Sequence, residues 1–182
     1  TEFLLKPLER LAIFDADPVP RLTLPGQSPD RSRTDRVKRL ALHPGSGSER
    51  KNWPEHRWRE LVERLVARTN HHLLLVGGEA EGDRLSRLVP PGANDRIELA
   101  VQRPLVELAE RLAAADVFLG HDSGISHLAA ALGLPGLVLW GPTNPAVWRP
   151  RSEHFEIAAH PGGLEGITVD ETWARLMARL GA

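Results

Sequence analysis

A chain of 182 residues, 41% hydrophobic and 26% charged, has the composition of a globular protein with one ordinary core, and is short for two. Its net charge of −1 excludes a duplex-wrapping surface, so no nucleic-acid partner is expected, although a local anion site stays open. The absence of cysteine excludes disulfides, thiolate nucleophiles and thiolate-held metals together, and no apolar run approaches the ~20 residues that span a bilayer.

In chain order, Thr1 to Asp15 reads as a short helix, with Phe3, Leu4, Leu5, Leu8, Leu11 and Ala12 near helical spacing. From Ala16 to Arg36 the pattern gives way to prolines, Gly26, Ser28, Asp30 and arginines, which suits a linker or an edge segment. Residues 1–36 are therefore expected to form a helix and linker, and 37–182 the folded domain. The arginines from Arg31 to Arg39 read as a solvated connector. An amphipathic helix with nothing nearby to pack on suggests a chain that continues towards the N-terminus.

Beyond Val37, continuous apolar runs at Leu40–His43, Leu73–Gly77, Val117–Gly120 and Leu137–Trp140 suit strands buried on both faces, as in a parallel sheet. Helical spacing lies between them. Trp58, Leu61, Val62, Leu65 and Val66 follow Pro54; Leu105, Leu108, Ala109, Leu112 and Ala113 follow Pro104. Ile125 to Leu132 forms an alanine-rich helix stopped by Gly133 and Pro135, and a last helix covers about Asp170 to Leu180. Alternating strands and helices predict an α/β fold, a Rossmann-like three-layer parallel sheet.

Ligands of open parallel sheets sit beyond the carboxyl ends of the strands, where three loops carry chemistry. The first runs from His43 through Gly45, Ser46, Gly47 and Lys51 to Trp53 and Pro54. Its small residues let backbone amides approach an anion, and Lys51 adds a point charge; equally, it reads as a flexible connector. It lacks the Gly-Lys-Ser/Thr ending of a nucleoside triphosphatase loop. The second loop, Gly77-Gly78-Glu79-Ala80-Glu81, offers a carboxylate to ribose hydroxyls, or two glutamates that complement the next helix. The third, Gly120-His121-Asp122-Ser123-Gly124-Ile125-Ser126-His127, joins a strand to a helix whose unpaired amides suit a pyrophosphate. His127, one turn on, leans back towards the same point. The competing reading makes Asp122 an ordinary N-cap and His127 a core histidine. Asp-Ser-Gly is not the elbow of a serine hydrolase. His43 and His121 lack partners at metal-ligand spacing, so no metal site is expected; His71 and His72 read as strand-end caps. Trp53, Trp58 and Trp148 read as packing residues.

Together these loops resemble glycosyltransferase family 9, the ADP-heptose:lipopolysaccharide heptosyltransferases. Leu42 through Pro54 is similar to the family's His-Pro-Gly…Lys-x-Trp-Pro segment, Phe118 through Pro135 to its most diagnostic motif, and Gly141-Pro142-Thr143-Asn144-Pro145 to its Gly-Pro-Thr-x-Pro. The resemblance implies the C-terminal, donor-binding half of a GT-B glycosyltransferase. Carried over, Gly45, Ser46 and Lys51 correspond to the sugar-phosphate loop, Glu81 or Glu79 to the ribose carboxylate, and Gln102-Arg103 to the adenine contact. Asp122, Ser123, Gly124 and His127 correspond to the diphosphate and sugar grip. Ser123 stands where the family often has Thr. The implied donor is an ADP-sugar, no cofactor is implied, and the acceptor is a lipid-linked oligosaccharide held by an N-terminal half. The family's general base lies in that half, so no catalytic residue is expected here.

Transfer of a heptose-type sugar with inversion, without a metal, is the expected activity. It would take place in the cytoplasm, with at most peripheral contact to the inner face of the membrane. The competing reading is a non-catalytic nucleotide-sugar-binding half-domain that needs a partner chain; a nucleotide-sugar epimerase stands third.

Overall fold

A computed structural model describes residues 2–24, 36–78 and 81–181. Among them, six strands form one parallel sheet: β1 (Arg39–Leu42), β2 (His72–Gly77), β3 (Ile97–Val101), β4 (Val117–His121), β5 (Gly136–Leu139) and β6 (Phe155–Ala158). Their order is β3-β2-β1-β4-β5-β6, with β1 paired to both β2 and β4 in parallel register. That order reverses between β1 and β4, which makes the crevice beyond their carboxyl ends the natural ligand position of a doubly wound sheet.

The helices are α1 (Glu2–Glu9), α2 (Glu55–Arg68), α3 (Gly82–Arg87), α4 (Leu105–Ala113), α5 (Gly124–Ala131), α6 (Pro145–Trp148) and α7 (Val169–Leu180). Alternation along the central strands splits the core into two layers. Leu40, Leu42, Leu73, Leu75, Leu119 and Leu137 face Trp58, Leu61 and Leu65 of α2, Leu85 of α3, and Leu176 and Leu180 of α7. On the other face, Ala41, Leu74, Val76 and Phe118 meet Leu108 and Leu112 of α4 and Ala129 of α5. Each fully buried leucine contributes ~1.5–3 kcal/mol, so the two layers hold the strand ends in fixed relation.

The four central strands and the expected helices beyond Val37 are present with shifts of a residue or two. Two strands have no counterpart in the sequence reading. They are β3 and β6, the sheet edges, whose side chains are mostly only half-buried. Leu105 begins α4 but is exposed rather than part of its apolar face.

The N-terminal helix is shorter than expected, ending at Glu9, with Pro7 inside it. Leu22 donates to the Ala131 carbonyl at 2.7 Å, so the stretch before the connector lies against the end of α5. Gly26, Ser28, Asp30, Arg31 and Arg33 lie outside the described residues. Arg36 and Arg39 correct the picture of a solvated connector: Arg36 pairs with the buried Asp116 and Arg39 with Glu98. No helix among the described residues is long and apolar enough to cross a membrane.

Candidate functional site

The loops after β1 and β4 meet where the strand order reverses. Lys51 closes a short helical turn, Glu49–Lys51, formed when its amide and that of Asn52 bond back to the Ser48 and Glu49 carbonyls. Its Nζ donates to Asp122 Oδ2 at 2.8 Å. Thr143, from the loop after β5, donates its hydroxyl to the same oxygen at 2.7 Å. Oδ1 accepts no hydrogen bond from the described residues, although Asp122 is only 7% exposed. A carboxylate with one oxygen fixed and the other free is set up to receive hydroxyl donors.

The helix cap falls on Ser123 rather than on Asp122: Ser123 Oγ accepts from the Ser126 amide at 3.4 Å. Asp122 is thereby released for the contact with Lys51. The amides of Gly124 and Ile125 begin α5 without intrahelical acceptors, and Gly124 is exposed. These amides carry the partial positive charge of the start of α5, two residues along the chain from the Asp122 carboxylate that Lys51 holds. His127 turns elsewhere than expected. Its Nε2 lies 3.1 Å from the Trp148 carbonyl, tying α5 to α6 at the edge of the site. Trp148 is not a packing residue, being 58% exposed, whereas Trp53 and Trp58 are buried.

Ser46 points within its own loop, its hydroxyl shared between Asn52 Oδ1 at 2.7 Å and the Ser48 carbonyl at 2.9 Å. Glu81 Oε2 accepts from the Gly78 amide at 2.7 Å, and the carboxylate lies directly over Gly45, where it occupies the space a Cβ would need. A side chain at Gly45 would therefore displace the Glu81 carboxylate. Glu79 lies outside the described residues. Arg103, at the end of β3, faces Glu107 at 3.6 Å with 44% of its side chain exposed. It stands at the same carboxyl end of the sheet, two strands away from the junction. Just before it, Gln102 adopts a left-handed φ of 51° and donates its amide to the Gly77 carbonyl at 3.0 Å.

Two histidines that carry no role in the sequence reading lie beneath these loops. His43 Nδ1 bonds the Val76 carbonyl at 2.9 Å. His121 is wholly buried and its Nε2 accepts the Trp53 amide at 2.8 Å. Burial, and secondarily the neighbouring His43 ring, pushes the His121 pKa down to about 3, so the ring is neutral. Burial also lowers that of His43, against the opposing pull of the Val76 carbonyl and Glu81. The sequence offers no signal for the His121 contact, because the partner is a backbone amide 68 positions away.

The family description "Glycosyltransferase family 9 (heptosyltransferase)" matches residues 12–162. Lipopolysaccharide heptosyltransferase 1 of Pseudomonas aeruginosa is 42% identical over 95 residues, which are 52% of this chain and 26% of that protein. The Salmonella typhimurium protein of the same name is 36% identical over 97 residues, 53% of this chain and 30% of that one. The aligned stretch thus spans about a quarter to a third of these curated relatives. Among solved structures, Escherichia coli heptosyltransferase WaaC with ADP-2-deoxy-2-fluoro heptose matches with a TM-score of 0.69 and 28% identity, over 80% of this chain and 44% of that one. Escherichia coli ADP-heptose lps heptosyltransferase II shares the fold, with a TM-score of 0.77 at 21% identity, over 88% of this chain and 53% of that one. The matched residues include all the loops that meet at Lys51 and Asp122, and the chain belongs to glycosyltransferase family 9.

Proposed function

We propose that this chain is the donor-binding half of a glycosyltransferase that transfers a heptose-type sugar from an ADP-sugar to a lipopolysaccharide-type acceptor. The observation that carries the reading is the junction of Lys51, Asp122 and Thr143, built from three separate loops at the reversal point of the sheet. The comparisons supply the chemistry: one related structure was solved with an ADP-linked fluoro-heptose.

In this reading the diphosphate lies at the start of α5, against the free amides of Gly124 and Ile125, with Lys51 on its other side. Glycosidic cleavage leaves an added negative charge on the departing diphosphate. Donors already in place stabilise that charge more than they stabilise the bound donor, and one such contact is typically worth ~3–4 kcal/mol of barrier. Asp122 Oδ1 accepts sugar hydroxyls, Glu81 accepts from ribose, and the Gln102–Arg103 turn borders the adenine. In this reading the acceptor surface and general base belong to the other half of the two-domain fold, and the transfer takes place on the cytoplasmic side of the membrane.

Calorimetric titration tests the donor assignment. ADP is expected to bind with a clear preference over UDP; equal affinity for the two, or no heat with ADP, would remove the adenine nucleotide from this site.

The Gly45 contact yields a second expectation. In Gly45→Ala the new methyl meets the far end of a flexible glutamate, which can swing aside. Unfolding stability should change by less than about 1 kcal/mol while ADP affinity falls several-fold, because the displaced group is Glu81. A stability loss matching the affinity loss would mean that the methyl disturbs the fold instead.

A further inference from the structure

We propose that His121 is a positioning residue that staples the Lys51 loop to the strand carrying Asp122, so that one imidazole sets the geometry of the ion pair. The loop from Gly45 to Trp53 holds itself together weakly. Its internal bonds are one helical turn and the Ser46 hydroxyl, Gly47 sits at a left-handed φ of 70°, and residues 47–50 are exposed. Both of its ends converge on His121. The Trp53 amide donates to Nε2 at 2.8 Å, which leaves the proton of the neutral ring on Nδ1, facing the Gly45 carbonyl at 3.4 Å.

The ring has no freedom to release either end. It lies edge-on to Trp58, with centroids 5.5 Å apart at 81°, and Trp58 lies edge-on to Trp53. Trp53 is itself anchored by its indole N–H on the Ile167 carbonyl at 2.9 Å. On the chain side, the His121 carbonyl accepts the Ser126 hydroxyl, which locks the start of α5 to the same residue. An apolar ring of this size could fill the space. It would strand the Trp53 amide, however, in surroundings where only 2% of that residue reaches water.

The staple serves the donor site proposed above, and its test is read in two ways that separate the two ideas. The first reading is amide hydrogen exchange at Trp53, which involves no nucleotide. The second is ADP affinity, with native chain and Lys51→Ala as references. In His121→Phe the Trp53 amide is expected to exchange at least about tenfold faster and ADP to bind about tenfold more weakly, as befits one lost buried hydrogen bond and a loosened loop. His121→Gln restores an acceptor near the Nε2 position and is expected to recover both. His121→Asn, whose shorter amide reaches only towards Gly45, is expected to recover neither.

Native exchange at Trp53 in a folded His121→Phe, or equal exchange in the Gln and Asn variants, overturns the staple. Unchanged ADP affinity alongside fast exchange also overturns it, because the loop would then be loosened without consequence for the site. If His121→Phe does not fold, the contrast between the Gln and Asn variants decides. A native chain that ignores ADP removes the donor reading alone, and the exchange data still test the staple.

Discussion

Lys51→Ala is expected to weaken ADP binding roughly ten- to hundredfold, the effect of losing one charge-assisted contact worth ~1.5–3 kcal/mol. Two consequences of the substitution need separating, because Lys51 also holds Asp122. Without the ammonium, a carboxylate that is only 7% exposed keeps Thr143 as its one donor among the described residues. The uncompensated charge should cost about 1–3 kcal/mol of stability; the pair is open to water on the lysine side, 30% of which is exposed, so the cost stays below that of a sealed pair. Combining Lys51→Ala with Asp122→Asn removes the stranded charge and should restore stability without restoring ADP affinity. Recovery of both in the double variant would show that Lys51 acts only by supporting Asp122. Asp122→Ala alone is expected to act mainly on the sugar. Its penalty, tenfold or more for a nucleotide sugar in ordinary hydrogen-bond terms, should be smaller for ADP itself.

Acid should destabilise the fold well before the carboxylates titrate. His121 is held neutral, with a pKa of about 3 in place of the ordinary 6.5, chiefly by burial. His43 and the half-buried His71 move in the same direction for the same first cause. A base whose folded pKa lies below its unfolded value leaves the unfolded chain holding the extra proton. The stability contributed by the neutral ring is therefore complete above about pH 6.5 and drains away as the pH falls towards 3. For His121 the slope is about 1.4 kcal/mol per pH unit once well below 6.5. Urea unfolding at pH 7.5, 6 and 5 reads this directly. Glu55 and Glu156 do not confuse the window: the Arg87 hydrogen bond lowers the first, and in the second burial pulls upward but Arg175 and Arg179 together outweigh it, so both lie below the usual carboxylate range. A midpoint that does not move between pH 7.5 and 5 would contradict neutral burial of these rings.

How far the sequence could be read depended on where each residue's partners lie. The helices after Pro54 and Pro104 were legible because one apolar face repeats at helical spacing. The four central strands were legible because burial on both faces demands continuous apolar runs. Edge strands obey neither rule. Glu98 in β3 and Glu156 in β6 can sit there because half-exposure lets arginines reach them: Arg39 and Arg111 in the first case, Arg175 and Arg179 in the second. Trp148 was misplaced because an indole gives no sign of whether a core exists on its side.

The candidate site divides in the same way. Loop composition pointed to Lys51 and Asp122 separately. Their 2.8 Å contact joins residues 71 positions apart and follows only from the pairing of β1 with β4. The cap on Ser123 is local, made with an amide three residues on, but the share of the oxygen taken by Thr143 and the contact of Glu81 over Gly45 are likewise products of strand order. Local pattern carries none of these cross-loop contacts.

That pairing has a kinetic corollary. The segment running from β1 through β3 forms contacts between neighbours in sequence, whereas β1 must wait for β4 to emerge and bridge a long stretch of chain before its second edge is covered. Long-range parallel pairing is slow to nucleate, so a species with the first three strands assembled and the fourth undocked is the natural intermediate. Such a species has the lysine loop but nothing across from it. Nucleotide present during refolding should consequently leave the early phase untouched and slow only the unfolding of the finished sheet.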